Sequence, residues 1–262
     1  FETMRQNWLR TLLTSLGTMM MVFVVTLVFS ILTFLDRATS EKSQNLKAIV
    51  SERWQIPSQM PIAYADALSE GAPQKEGDHR IESKDSMTWS FYGGTTEKDL
   101  RLATRSSFLF AFALLPSSLL TMMDELDSLE GPLKAEFEVV VGKLADNRRG
   151  IIVGKDRLAA LEKSVGDTIT LYGLNYKEIN LEVDIVGLFP PGRYDNSAAI
   201  NRDYLRAALD AYPQSHSGKS HPLASKSLNL VWLRMKDKQI FEQVSNQILS
   251  SSSFSSPAVK VE

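Results

Sequence analysis

The sequence contains no cysteine and only three histidines among its 262 residues. The first absence excludes disulfides, thiolate nucleophiles and zinc sites with sulfur ligands, while selecting no compartment. The second leaves little material for imidazole chemistry. His216 and His221 share one segment with no carboxylate at helical spacing from either, and His79 is far off in sequence, so they read as surface histidines rather than zinc ligands. Basic charge is not in excess, with 29 Lys and Arg against 31 Asp and Glu. No long basic run offers itself to phosphates, so nucleic acid is not an expected partner. No G-x-S-x-G elbow presents a serine as a nucleophile. No repeat of fixed period and no sustained heptad pattern occurs.

Several fragments imitate chemistry and lack what it requires. Gly218-Lys219-Ser220 resembles the end of a phosphate loop, but that motif needs a glycine at position 213, where Pro213 stands. Asp124, Glu125, Asp127 and Glu130 suggest metal ligands or an acid and base pair, yet they read as the solvated side of an amphipathic helix. Trp89, Phe91 and Tyr92 suit a ligand groove, but the core side of an alternating strand accounts for Trp89 and Phe91 more simply. The sequence thus gives no catalytic, cofactor-binding or metal-binding residues.

What it does have is one long apolar run. Leu12 to Leu35 is 24 residues without a charge between Arg10 and Asp36. As a helix it extends roughly 36 Å, enough to cross a hydrocarbon core of about 30 Å with some tilt. Thr14, Ser15, Thr18, Thr26, Ser30 and Thr33 can return their hydroxyls to helix carbonyls, and Gly17 is the one small break. A cleavable signal has a shorter apolar region and a small-x-small cleavage site, whereas this run ends Thr33-Phe34-Leu35-Asp36. A buried helix of a soluble protein would show a polar stripe, and Met19 to Val25 is apolar all round. The stretch reads as membrane-spanning. Arg5 and Arg10 before it, against Arg37, Lys42 and Lys47 after it, do not fix its orientation.

The 227 residues after Leu35 suffice for a real core. Asp36 to Lys47 reads as a helical extension or linker, and Leu46 to Gln55 as the first strand. Ile62 to Leu68 reads as a short helix ending at Gly71, and Ala72 to Asp85 as an exposed loop. A strand over Ser86 to Tyr92 is followed by a turn at Gly93-Gly94, and Phe108 to Leu115 is a buried strand. Ser117 or Ser118 caps a helix through Leu129, stopped by Gly131-Pro132. Leu133 to Ala145 suits a helix, although Val139 to Val141 would equally suit a strand. Ile151 to Val153 is a short strand and Lys155 to Lys163 a helix. Val165-Gly166-Asp167 turns into the strand Thr168 to Leu171, and a hairpin at Gly173 to Tyr176 leads to a return strand with Ile179, Leu181, Val183 and Ile185 on one face. Ser197 to Ile200 is a strand, Asn201 caps a helix through Ala211 stopped by Pro213, and Gln214 to Lys226 is a surface loop. Leu228 to Met235 is a strand, Gln239 to Leu249 a helix with Ile240, Phe241, Val244 and Ile248 inward, and Pro257 to Glu262 the start of another strand.

Two signatures on this chain carry a family resemblance. Asn7-Trp8-Leu9-Arg10-Thr11-Leu12-Leu13-Thr14-Ser15-Leu16-Gly17 resembles the lead-in to the first transmembrane helix of MacB-like ABC transporter permeases, the group that includes FtsX and the lipoprotein-releasing permeases. Ile151 to Leu171, IIVGKDRLAALEKSVGDTITL, followed by Leu181 to Phe189, resembles the extracytoplasmic core domain of the same family. Arg10, Thr11, Leu12, Gly17, Gly154, Leu158, Val165, Gly166, Asp167 and Gly187 carry the match.

The resemblance implies an α+β chain with a cytoplasmic N-terminus at 1–11, a transmembrane helix at 12–35 and a periplasmic domain beyond a linker at 36–45. That domain is expected to have two subdomains: a βαβ-rich, porter-like part from 46–132 and 228–262, and a smaller β-rich insertion at 133–212, with 213–227 an exposed loop. It further implies a part of an inner-membrane permease that precedes three more transmembrane helices. Expected partners are a cytoplasmic ABC ATPase, a second permease copy or paralogue, a periplasmic adaptor and the lipid bilayer. A single-pass anchored sensor or ligand-binding module is the alternative.

Overall fold

The computed structural model describes residues 8–43 and 46–262. The chain forms two units, one ending at Leu46 and the other Lys47–Glu262. The expected N-terminal segment is described only from Trp8 onward.

Among the described residues the first unit holds one helix, α1, Trp8–Ser43. Its segment Leu12–Phe34 has a mean hydropathy of 2.3, long and apolar enough to cross a bilayer. Within that run the hydroxyls fold back onto the helix. Thr14 donates to the carbonyl of Arg10 at 2.9 Å, Thr26 to that of Val22 at 2.7 Å and Thr33 to that of Phe29 at 2.8 Å. A hydroxyl satisfied by its own helix adds little cost to insertion. Residues 36–43 extend the helix.

In the second unit, β1 (Leu46–Glu52), β2 (Ser86–Thr95) and β3 (Phe108–Leu114) lie with two short helices, α2 (Ala65–Ser69) and α3 (Ser118–Met122). Then come α4 (Gly131–Asp146), β4 (Gly150–Val153), α5 (Lys155–Ala160), β5 (Thr168–Gly173), β6 (Leu181–Leu188), β7 (Ala198–Asn201) and α6 (Arg202–Ser215). The chain closes with β8 (Leu230–Met235), α7 (Lys238–Ser250) and β9 (Val259–Val261).

The nine strands follow the order β3-β7-β4-β6-β5-β2-β8-β1-β9, with β3 returning to pair with β2. That extra pairing closes six strands into a small barrel. Around it β2 pairs antiparallel with β3 and β5, β3 runs parallel to β7, β7 antiparallel to β4, β4 parallel to β6, and β6 antiparallel to β5. Side chains alternating inward, among them Tyr92, Ala111, Ile151, Leu171, Val183 and Ile200, fill it together with Leu205 and Leu209 of α6. Tyr92 is fully buried, and its hydroxyl donates toward the carbonyls of Leu171 and Ile179, 3.0 and 2.9 Å away.

β2 joins this barrel to the rest of the domain. Its first half, Ser86 to Trp89, pairs with β8, and its second half, Ser90 to Thr95, with β3. Beyond β8 lie β1 and β9, covered by α2, α7 and Ile81. A third cluster, built on Trp89, Trp232, Met122, Phe137 and Phe189, packs on the other side, with the two indoles edge to face at 4.8 Å.

Several expectations are corrected by this packing. Gly93 and Gly94 lie inside β2, not in a turn, because the Phe110 ring covers one and Tyr92 and Leu171 press on the other. The helix after Pro116 ends at Met122 instead of Leu129. Gly131-Pro132 opens α4 rather than stopping a helix, since a proline at a first-turn position has no intrahelical bond to lose. Pro213 sits in the last turn of α6 and does not stop it at Ala211. In the presumed exposed loop 72–85, Ile81 is buried, and Gln247 holds the carbonyls of Gly71 and His79. β3, which precedes residue 133, pairs with β7, which follows it.

Candidate functional site

Lys47 is the second residue of β1 and the first residue of the domain unit. A lysine at the head of an apolar strand needs acceptors, and the segment after α3 supplies them. Lys47 Nζ lies 2.7 Å from Asp124 Oδ1, 2.6 Å from Asp127 Oδ2 and 3.0 Å from the carbonyl of Met122. Arg234, in the apolar strand β8, donates to Asp127 Oδ2 at 2.7 Å and to the carbonyl of Thr121, and lies 3.8 Å from Asp85. Arg193 reaches Asp124 at 3.3 Å. Three cations thus face three carboxylates, and the pair at the centre is nearly out of water, with side chains 11% exposed for Lys47 and 8% for Asp127.

This network explains the short α3. Ending the helix at Met122 frees that carbonyl for Lys47 and turns Asp124 and Asp127 toward the cations, with Glu125 at φ +69° completing the bend. The expectation that Asp124, Glu125, Asp127 and Glu130 form a solvated helical face holds for the exposure of Glu125 and Glu130 and is corrected for the other two: Asp124 and Asp127 are ion-paired, and the Asp127 side chain is doubly paired and nearly out of water. The signal in the sequence was a charge set within each of two apolar strands, Lys47 in LKAIV and Arg234 in LVWLRM; buried charges require partners. The partners themselves lie 77 and 80 positions from Lys47 and could not be assigned by spacing.

The signature residues take architectural positions. Gly154 precedes α5 at a backbone crossing so close that a Cβ there would stand 2.1 Å from the carbonyl oxygen of Tyr194. That crossing holds the 190–197 loop, from which the Tyr194 hydroxyl donates to the carbonyl of Asp124 at 3.0 Å, with its pKa pushed up to about 12 by burial. Leu158 is buried beneath α5. Gly166, at φ +102°, donates to the carbonyl of Ile185 at 2.8 Å, Asp167 accepts from the amide of Ser164 at 2.9 Å, and Val165 is exposed. Gly187 leaves room for Val140, which would lie 2.4 Å from a Cβ. On α1, Gly17 has open space around it and the Arg10 carbonyl accepts from Thr14; Thr11, Leu12 and Leu35 lie in the helical run, and Asn7 lies outside the described residues.

A second polar cluster corrects the reading of 213–227 as wholly exposed. His221 is 5% exposed, with Nε2 3.2 Å from the carbonyl of Lys177 and Nδ1 accepting from the amide of Leu223 at 3.1 Å. His216 stacks on Tyr212 and lies 2.9 Å from Glu178, a carboxylate from the distant β5–β6 hairpin. Hydrogen bonds from Tyr212 and then His216 hold Glu178 below the usual carboxylate range. Gly218-Lys219-Ser220 is an exposed turn. Among the described residues no group of three His, Asp or Glu side chains is placed to hold a metal.

The chain thus combines a helix long and apolar enough to cross a bilayer with an α/β domain whose first strand is fixed by a largely buried ion-pair network. A family model described as MacB-like periplasmic core domain matches residues 11–250, and the chain belongs to that family. It is accordingly a component of a MacB-like ABC transporter permease, with its domain on the extracytoplasmic side. Among solved structures it is similar to the extracellular domain of the noncanonic ABC-type transporter YknZ from Gram-positive bacteria, at 10% identity and a TM-score of 0.42, over 83% of this chain and all of that one. No curated protein matches the sequence.

Proposed function

We propose that this chain carries ATP-driven movement from the membrane to an extracytoplasmic domain, for export or for action on a periplasmic partner. The observation that supports this most is the fixing of β1. The strand that follows the anchor in sequence is clamped through Lys47 to the segment after α3 and, by way of Asp127 and Arg234, to β8. A pull on the head of β1 therefore loads three elements at once instead of peeling one strand from the sheet. The family match supports the same reading, since it spans much of α1 and most of the domain.

In this proposal ATP is hydrolysed on a separate cytoplasmic ABC ATPase, and the permease part is not itself an enzyme. The chain works beside a second permease copy or paralogue in the bacterial inner membrane, with a periplasmic adaptor as a further partner. The test is affinity purification of the full-length protein from native membranes in mild detergent. Stoichiometric recovery of an ABC ATPase is the expected result. Stable membrane localisation without an ATPase favours an anchored sensor and overturns the proposal.

A further inference from the structure

Arginine is seldom left half-buried without an anion, because its planar guanidinium offers five donors in a fixed fork. Arg202, at the start of α6, is only loosely paired. Its side chain is 24% exposed, it donates to the hydroxyl of Thr88, and its carboxylate neighbour among the described residues, Asp203, is 4.0 Å away. Arg206, one turn later on the same helix, has no hydrogen bond or ion pair among the described residues. Both line a hollow of about 100 Å³ whose walls include Ser90, Ser227 and Leu209. Arg202 also lines a larger hollow of about 540 Å³, rich in hydroxyls from Ser69, Ser86, Thr88, Ser117 and Thr121. Thr88 and Ser90 stand two residues apart on one face of β2, so the two hollows lie side by side along that strand with Arg202 common to both.

We propose that Arg202 and Arg206 hold the phosphate group of a small polar ligand. The smaller hollow has room for one tetrahedral anion, and the larger for a hydroxyl-bearing remainder. Two arginine forks four residues apart share one helix face and can grip a phosphate from two directions. The Thr88 and Ser117 hydroxyls are the donors left for the remaining oxygens, since those of Ser69, Ser86, Ser90, Thr121 and Ser227 already donate to backbone carbonyls. Asp210 lines the smaller hollow and Asp203 stands beside Arg202, so the ligand meets opposing charge as well. Binding is accordingly weak, at about millimolar. The phosphate comes either from a soluble ester or from a lipid headgroup.

The experiment is isothermal titration calorimetry on the full chain in non-ionic detergent, with inorganic phosphate as the probe. Saturable binding is expected, weakened about tenfold by Arg202→Gln and about threefold by Arg206→Gln, and changed less than about twofold by Lys163→Gln, an exposed lysine that lines neither hollow. Arg206 is exposed and Arg206→Gln breaks no hydrogen bond or ion pair among the described residues, so it decides the matter if Arg202→Gln fails to fold. Glycerol 3-phosphate and a short-chain phosphatidylglycerol are then tested as competitors, and displacement by either supports the site and names the source. Absence of saturation, displacement by neither, equally tight binding of acetate, or phosphate binding unchanged by Arg206→Gln overturns the proposal.

Discussion

Lys47 and Asp127 meet at 2.6 Å although 80 positions separate them, and neither side chain has appreciable access to water. Asp127 is the more heavily committed of the two. It answers Arg234 as well, at 2.7 Å, whereas Lys47 has Asp124 in reserve. Asp127→Asn therefore takes the shared carboxylate from two cations, leaving Lys47 to Asp124 and Arg234 to Asp85 at 3.8 Å, and should cost somewhat less than the about 3–5 kcal/mol of a buried charge left with no partner. Lys47→Met leaves Asp127 still paired with Arg234 and should cost distinctly less. Urea unfolding of both variants checks the order; an equal or reversed order would show that the clamp is not centred on Asp127.

The Gly154 crossing gives a second outcome. Gly154→Ala should destabilise the domain by more than about 2 kcal/mol, because the clash is with backbone that cannot rotate away. Gly166→Ala, where φ is +102° but nothing stands within 4 Å, should cost only about 1 kcal/mol. Thermal unfolding of the two variants separates steric exclusion from backbone strain. A larger loss for Gly166→Ala would contradict the assignment.

His221 gives the domain a pH dependence. Burial lowers its pKa below 6.5, and the Leu223 amide donating to Nδ1 requires that nitrogen to be unprotonated. The groups facing it are Tyr176, Tyr212, His216, Glu178 and the Lys177 carbonyl. Because the unfolded chain takes up a proton at higher pH than the folded one, stability falls as pH drops through about 6.5 and levels off below the folded value. The urea midpoint followed from about pH 8 to 5 should show this fall, and His221→Gln should flatten it. An identical slope in the variant would assign the effect elsewhere.

Local patterns were legible where one element decided its own conformation. The anchor, the strand at Phe108, the turn at Val165-Gly166-Asp167, the Asn201 cap and the inward face of α7 all follow from residues within a few positions of each other. The errors arose where distant residues intervened. Gly93-Gly94 reads as a turn until Phe110 and Leu171 are laid over it. Asp124 and Asp127 read as a wet helical face until Lys47 and Arg234 arrive from two strands. His216 lacks a carboxylate in sequence and finds Glu178 from another hairpin. Closure of the barrel through β2 and β3 is likewise a long-range pairing that no local period announces.

The central claim is that motion driven by ATP reaches the domain, and because these 262 residues contain no cysteine, a thiol introduced in the domain has no competitor within them for a spin label. Val165 is exposed and suits the label once changed to cysteine. In the full-length permease assembled with its ATPase, the distance between the labels of two copies is measured by double electron–electron resonance with and without trapped ATP. A nucleotide-dependent change in that distance, reduced when Asp127→Asn loosens the clamp on β1, is the expected result. A distance that ATP does not change, in a complex that still hydrolyses it, would contradict the account.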